Sequence, residues 1–184
     1  MSDRRSLTPP QLAPSIATTL ARKRVPLGFA CGIAVLWLAS PTSRSLAIGG
    51  AIAAAGELLR IWAAGHLEKG REVTRSGPYR LTRHPLYLGS AIIGAGAAIA
   101  AARWSIAILI AIYLASTILA AIATEEAGMR ASFGDHYDAY LESRAPPADR
   151  PFSMERVMRN KEYRAVAGLA GVAAIFAMKV LLRR

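Results

Sequence analysis

Long stretches with few or no charged side chains limit the folds open to this chain more than any other feature. The stretches are rich in Ala, Gly, Leu and Ile, and they lie at residues 25–40, 46–65, 86–102, 105–124 and 165–182. A helix needs roughly 17–25 residues to cross the hydrocarbon core of a bilayer. Four of the five runs have that length and the first is slightly short. The sequence therefore predicts an all-α fold, a multi-pass transmembrane helical bundle with four to five membrane helices.

The charges between these runs indicate how the bundle is oriented. Basic residues concentrate before the first run, in the 66–85 connection and in the 125–164 segment, whereas the two short connections hold only Arg44 and Arg103. Because cytoplasmic loops carry the excess of Lys and Arg, the three basic regions are predicted to face the cytoplasm. We expect an integral, multi-pass protein of a membrane such as the bacterial inner membrane.

The formal net charge of +11 also invites a nucleic-acid interpretation. The basic residues alternate with apolar runs, however, and do not line one polar domain, so no nucleic-acid partner is expected. Three parts are predicted: a basic cytoplasmic arm at 1–24, a membrane domain at 25–164 and a C-terminal apolar helix at 165–184. That last helix is expected to be transmembrane, although crossing would leave Arg183 and Arg184 outside. An interfacial helix is the alternative.

The stretch at 76–89 has the pattern of a loop that enters a helix at the membrane edge. Pro85 suits the first helical position, where its missing N–H costs nothing. The unpaired N–H groups of the first turn attract an anion such as a carboxylate or a phosphate. The polar side chains beside it are Arg83, His84, Tyr79 and Tyr87. The alternative is an interfacial belt of Tyr and Arg without further function.

Two adjacent carboxylates, Glu125 and Glu126, end the fourth apolar run. Carboxylates at a membrane edge are costly unless they are solvated or paired. Glu126 could pair with Arg130 one turn further along a helix, which would be a structural role. Because the third and fourth runs form a tight hairpin, the two carboxylates are also expected to return to the place where His84 and Tyr87 begin their helix. That convergence favours a functional site.

Ionisable residues inside the second run, Glu57 and Arg60, are functional candidates by position, although their spacing also allows them to pair with each other. No metal site is expected, because the chain has a single cysteine, Cys31, and three scattered histidines. The histidines are His66, His84 and His136.

Aromatic residues after the carboxylates recur at helical spacing. They predict a cytoplasmic amphipathic helix that lies over the site, and its apolar stripe consists of Phe133, Tyr137, Tyr140 and Leu141.

In order and spacing, these motifs resemble the isoprenylcysteine carboxyl methyltransferase-like family of integral membrane methyltransferases, to which phospholipid methyltransferases are related. The resemblance covers about residues 56–146. It rests on Arg60 and on the stretches at 77–80, 83–89, 125–126 and 133–137.

The resemblance implies that residues 25–164 form a methyltransferase domain that uses S-adenosylmethionine. The residues that it assigns to cofactor binding are Tyr79, His84, Pro85, Leu86, Tyr87, Glu125 and Glu126. A helix start suits the carboxylate of the methionine moiety, and aromatic rings suit its sulfonium. The candidate catalytic residues are Arg60, Arg83 and Glu126, and no general base is assigned.

The resemblance leaves the methyl acceptor open. Prenylcysteine enzymes of the family carry an arginine about one turn before the carboxylate pair, whereas this chain has Ala121 and Ile122 there. Unless Arg60 or Arg83 takes that role, a carboxylate substrate is disfavoured. The expected partners are membrane lipids and a lipophilic small molecule or lipid-modified substrate, with an isoprenylcysteine-like carboxylate, a phospholipid amine or a thiol as the acceptor group.

Two other classes of protein remain as alternatives. NADPH-dependent sterol-reductase-like membrane enzymes have a similar Arg-His-Pro-Asn-Tyr signature, but this chain has Leu86 in place of the Asn and Ser90 in place of a following acid. A non-catalytic membrane scaffold would keep the helices and the basic loops without needing a cofactor.

Overall fold

The chain folds into helices joined by short loops. A computed structural model describes residues 16–142 and 148–183. Its helices are α1 (Ile16–Leu38), α2 (Ser43–Ala64), α3 (Pro85–Ala101), α4 (Trp104–Phe133), α5 (Asp135–Leu141), α6 (Met154–Arg159) and α7 (Tyr163–Leu181), with a 3₁₀ turn at Gly77–Arg80. Within the described residues no strand occurs, and the all-α prediction is confirmed.

Three of these helices, α2, α4 and α7, are long and apolar enough to cross a membrane, and two shorter apolar segments, Val25–Leu38 and α3, accompany them. The predicted helical membrane bundle is therefore confirmed, and a count of four to five membrane helices depends on the two shorter segments. The 30 residues of α4 would span about 45 Å, which exceeds a hydrocarbon core of about 30 Å. That excess length allows the C-terminal turns of α4, which carry the two carboxylates, to extend beyond the core.

The long helices run between two ends of the bundle. At one end, the short connections are tied together, since the Ser40 amide donates to the Ala101 carbonyl over 2.9 Å and Arg103 donates to the Leu38 carbonyl over 2.8 Å. We call the other the basic end, because it holds residues 65–84, the last turns of α4 and residues 148–162.

The last helix, α7, extends from the basic end to the opposite end. There the Lys179 ammonium donates to the carbonyl oxygens of Leu36 and Ala39 at the end of α1, over 2.7 and 2.8 Å. An ammonium at a helix C-terminus meets carbonyls that have no partner within the helix. Lys179 thereby fastens α7 to α1.

The closest helix packing joins α2 to α3. A Cβ atom added to Gly49 would lie 2.4 Å from the Gly96 carbonyl oxygen, and one added to Gly56 would lie 2.8 Å from that of Gly89. Small residues let two backbones approach this closely, and the resulting van der Waals packing is one of the forces that join helices in lipid. This glycine seam fixes the start of α3 against the end of α2.

The apolar core lies towards the opposite end, away from the carboxylates of α4. Its buried residues come from α1, α3, α4, α7 and the loop after α1, and they are Val35, Ala39, Ala100, Ala101, Ile106, Ile110 and Phe176. The basic end is held mainly by polar contacts instead.

Two elements differ from the expected boundaries. Residues 16–24 form the first turns of α1, which continues through Pro26, although they were expected to belong to the basic arm. The rest of that arm, residues 1–15, lies outside the described residues. The aromatic segment is also not one amphipathic helix, because α4 runs on to Phe133 and breaks at Gly134, whose φ of 46° favours glycine. The helix after the break, α5, has only 7 residues.

Candidate functional site

The loop that leads into α3 is fixed by packing against the end of α2. Gly77 has a φ of 55°, and a Cβ atom there would lie 2.4 Å from the ring of His66. Only glycine fits both constraints. The buried His66 ring in turn lies 3.1 Å, Nδ1 to Oγ, from Ser76. The 3₁₀ turn that follows therefore starts from a defined place.

The structure brings the motif at the start of α3 together with the two carboxylates of α4. His84 Nε2 lies 3.0 Å from Glu126 Oε1, and the Tyr87 hydroxyl donates to Glu125 Oε2 over 2.8 Å. The alternative pairing of Glu126 with Arg130 is not what the structure shows, since Arg130 lies 3.4 Å from Asp138. The expectation that the two motifs are neighbours in space is confirmed.

The segment after α4 folds over this site. The Tyr140 hydroxyl donates to the carbonyl of Tyr79 over 3.1 Å, and Arg83 donates to the carbonyl of Leu141 over 2.7 Å. Tyr137 is 3% exposed. The aromatic residues of α5 thus cover the start of α3. Arg83, which was predicted to be catalytic, lies against the end of α5.

Tyr79 occupies the centre of the arrangement. Burial, followed by the negative charge of Glu125 and the neighbouring Tyr140 and Glu162, raises the pKa of its phenol well above the ordinary range. A phenol in that environment stays protonated at neutral pH and acts as a hydrogen-bond donor.

Arg60 lies behind the first turn of α3, inside the bundle. Its Nε is 2.7 Å from Glu162 Oε1 and 3.7 Å from Glu57 Oε2. Its Nη1 approaches the Leu86 carbonyl at 3.4 Å and also bonds to Ser90. The predicted pairing with Glu57 is therefore the weaker of its two ion pairs.

Glu162 is the residue that sequence reasoning missed. It is 5% exposed and lies 102 positions from Arg60 in the chain. The only local signal was an acidic residue three positions before the apolar run at 165–182. Nothing in that pattern indicates which basic residue it meets.

The segment that carries Glu162 is anchored by further polar contacts at the basic end. Arg150 pairs with Glu72 over 2.7 Å and Arg159 with Glu68 over 2.8 Å. Asn160 donates to the Ala64 carbonyl over 2.9 Å, where the end of α2 leaves that group unpaired. Residues 148–162 thus close the basic end from the C-terminal side. Within the described parts of the chain, no group of three or more His, Cys, Asp and Glu side chains could hold a metal ion.

Comparison with protein-family models decides which class of protein this arrangement belongs to. The model described as phospholipid methyltransferase matches residues 27–136, more than half of the chain. The chain belongs to the phospholipid methyltransferase family. This membrane methyltransferase therefore has the family relationship that its motifs suggested. Searches of curated proteins and of solved structures found no match.

The family match covers the site residues on α3 and α4 and stops at His136. Glu162 and α7 lie beyond it. In this phospholipid methyltransferase family member, the closer of the two ion-pair partners of Arg60 therefore lies outside the matched region.

Proposed function

We propose that this protein transfers a methyl group from S-adenosylmethionine to a lipophilic or membrane-associated acceptor. The proposed cofactor site lies at the basic end, between the first turn of α3 and the carboxylates of α4. The observation that carries the proposal is the pair of contacts from His84 to Glu126 and from Tyr87 to Glu125. They join two motifs, 38 and 42 residues apart in the chain, in a member of a methyltransferase family.

The chemistry of these residues fits the proposed cofactor. His84 precedes α3 without capping it by a side-chain hydrogen bond, so its side chain does not satisfy the first N–H groups of the helix. Such a helix start suits a carboxylate. The carboxylates of Glu125 and Glu126 suit an ammonium group or ribose hydroxyls, and the rings of Tyr79 and Tyr87 suit a sulfonium. When bound, S-adenosylmethionine supplies an electrophilic methyl group.

The protein's own residues would contribute mainly by positioning. An in-line displacement gains much of its acceleration from holding the two reactants in line. Glu126 and His84 fix each other, and Arg83 holds the end of α5 over the site. In this proposal Arg83 and Glu126 act next to the reacting groups, and Arg60 acts from behind α3.

The proposed acceptor is an amine or a thiol rather than a carboxylate. A substrate carboxylate needs a cationic partner. Arg60 already serves two buried carboxylates, Glu57 and Glu162, and Arg83 donates to the Leu141 carbonyl. The helix turn before Glu125 offers Ala121, which is buried, instead of a cation. We further propose that the protein lies in a bacterial inner membrane. The distribution of Lys and Arg supports an orientation in which the basic end faces the cytoplasm.

Calorimetric titration of the protein in mild detergent with S-adenosylhomocysteine tests the cofactor site, with NADPH as a parallel ligand. We expect saturable binding of S-adenosylhomocysteine. Glu125→Gln and His84→Ala should each weaken it about tenfold or more, because each removes a hydrogen bond that involves a charged or titratable group.

Matched controls separate a site effect from a general one. Glu155→Gln and His136→Ala alter the same residue types at exposed positions of α6 and α5, and both should bind like the parent protein. Binding of NADPH alone would contradict the proposal, as would folded protein that binds neither ligand.

A further inference from the structure

Glu162 connects α7 to the first turn of α3 through a single arginine. Its Oε1 lies 2.7 Å from Arg60 Nε, and both partners are largely buried, with 6% and 20% of their side chains exposed. Arg60 then reaches the Leu86 carbonyl and the Ser90 hydroxyl of α3. Leu86 directly follows Pro85, at the start of the helix where the proposed cofactor site begins.

The path of Arg60 across α3 depends on a glycine. A Cβ atom at Gly89 would lie 2.5 Å from Arg60 Cγ. The arginine side chain therefore lies directly on the α3 backbone. A change in the direction of the Arg60 side chain therefore moves its guanidinium, which contacts the first turn of α3.

Arg60 has a second carboxylate that could pull it the other way. Glu57 lies one turn earlier on α2, 3.7 Å from the guanidinium. It is 6% exposed, and neither of its carboxylate oxygens has a hydrogen-bond partner among the described residues. Burial of a carboxylate whose oxygens accept no hydrogen bond is costly. If Glu162 were neutral, Arg60 would pair with Glu57 and withdraw from α3.

The position of Glu162 is itself fixed. The side chain of Asn160 bonds to the carbonyls of Ala64 and Leu67 over 2.9 and 3.1 Å. Lys161 has a φ of 61°, and the Glu162 amide donates to the Val157 carbonyl over 3.2 Å. The turn between α6 and α7 thus presents Glu162 to Arg60 in one orientation.

We propose that Glu162 is a positioning residue for the cofactor site. By holding Arg60 against α3 and away from Glu57, it fixes the first turn of that helix and with it His84 and Tyr87. The C-terminal helix, which lies outside the family match, thereby completes the site. The expected effect on the cofactor rests on the proposed function, whereas the effect on α3 does not.

Two measurements on the full-length protein in lipid nanodiscs test this role. Hydrogen exchange of the peptide that covers residues 84–90 reports on the first turn of α3 without any ligand. Titration with S-adenosylhomocysteine reports on the site. Glu162→Gln keeps the shape of the side chain and removes its charge, so we expect faster exchange at 84–90. We also expect about tenfold weaker binding, within the range of coupling between residues in contact.

The matched control is Glu72→Gln, which breaks an ion pair of the same length, 2.7 Å to Arg150. That pair anchors the same C-terminal segment without touching α3, so neither measurement should change. Glu162→Asp keeps the charge and should recover part of the lost affinity. If Glu162→Gln does not fold, Glu162→Asp carries the test, with a smaller change in the same direction.

Each outcome decides between the two proposals. The positioning role is overturned if hydrogen exchange at residues 84–90 is unchanged in the Glu162 variants. It is also overturned if Glu72→Gln raises that exchange as much as Glu162→Gln does. If exchange rises in Glu162→Gln alone but the parent protein does not bind S-adenosylhomocysteine, the positioning role stands and the proposed function fails.

Discussion

At the scale of single residues, His66 shows how the basic end depends on a neutral side chain. The ring is 6% exposed and packs edge-on against Trp62 and Phe152. Burial, and after it the nearby Arg156, lowers the pKa of His66. A buried histidine that carries a proton would face this arginine without a compensating charge.

We therefore expect acid to destabilise the fold through His66. In the unfolded chain its pKa is about 6.5, and in the folded protein it is lower. Stability is thus fully present above about pH 6.5 and falls as the pH drops towards the folded-state pKa. Thermal unfolding in detergent at about pH 7.5 and 5.5 should show this loss in the parent protein and a smaller loss in His66→Asn.

The exposed His136 supplies the control, because His136→Asn should leave the loss between the two pH values as it is in the parent protein. Equal acid sensitivity of the parent protein and His66→Asn would show that other groups cause it.

At the scale of helices, the glycine seam between α2 and α3 sets the geometry on which the site depends. Both helices were predicted from their apolar runs, and the start of α3 at Pro85 followed from the residue's preference for that position. The face on which α2 meets α3 was not predictable in the same way. Apolar residues occur on every side of both helices, so the contrast between a polar and an apolar face does not show which side of α2 packs against α3.

Two neighbouring glycines of α2 test the seam directly. A Cβ atom at Gly49 would lie 2.4 Å from the Gly96 carbonyl oxygen, whereas one at Gly50 would meet nothing within 4 Å. Gly49→Ala should cost about 1–3 kcal/mol through overpacking, which lowers the unfolding temperature by about 2–4 °C per kcal/mol in a chain of this size. Gly50→Ala should be neutral or stabilising by up to about 1 kcal/mol, since alanine favours the helix. Equal unfolding temperatures for the two variants would argue against the close contact.

The helix boundaries that were predicted wrongly from the sequence have a common physical cause. An apolar run marks only the part of a helix that lies in lipid or in the core. Polar residues with good helix propensity extend α4 from 124 to Phe133, and residues 16–24 extend α1 in the other direction. The Gly134 break then depends on a backbone conformation that no periodicity reveals.

At the scale of the whole molecule, predictability depends on how far apart the partners lie in the chain. The contact between α3 and the carboxylates of α4 was predictable, because a short connection forces the two helices into a hairpin. The contact between Arg60 and Glu162 was not, since it joins residues 102 positions apart and depends on where α7 returns to the bundle. Only the part of the site that lies within the family match could therefore be predicted from the sequence.

The path of α7 also leads to a prediction about membrane topology. Because α7 joins the basic end to the opposite end, residues on either side of it should lie on different sides of the membrane. In a Cys31→Ser background, a membrane-impermeant maleimide applied to intact bacterial cells should label Ser105→Cys and Leu182→Cys. It should not label Glu155→Cys until the cells are opened. Labelling of Glu155→Cys from outside would reverse the orientation, and protection of Leu182→Cys alone would show that α7 does not cross.

The location of the cofactor can be measured by ultraviolet cross-linking of isotope-labelled S-adenosylmethionine to the purified protein, followed by mass-spectrometric mapping of the labelled peptide. We expect saturable label within residues 79–89 or at Glu125 and Glu126, and its loss in the presence of excess S-adenosylhomocysteine. Label confined to α7 or to the end opposite the basic end, or folded protein that takes up no saturable label, would contradict a methyltransferase site between α3 and α4.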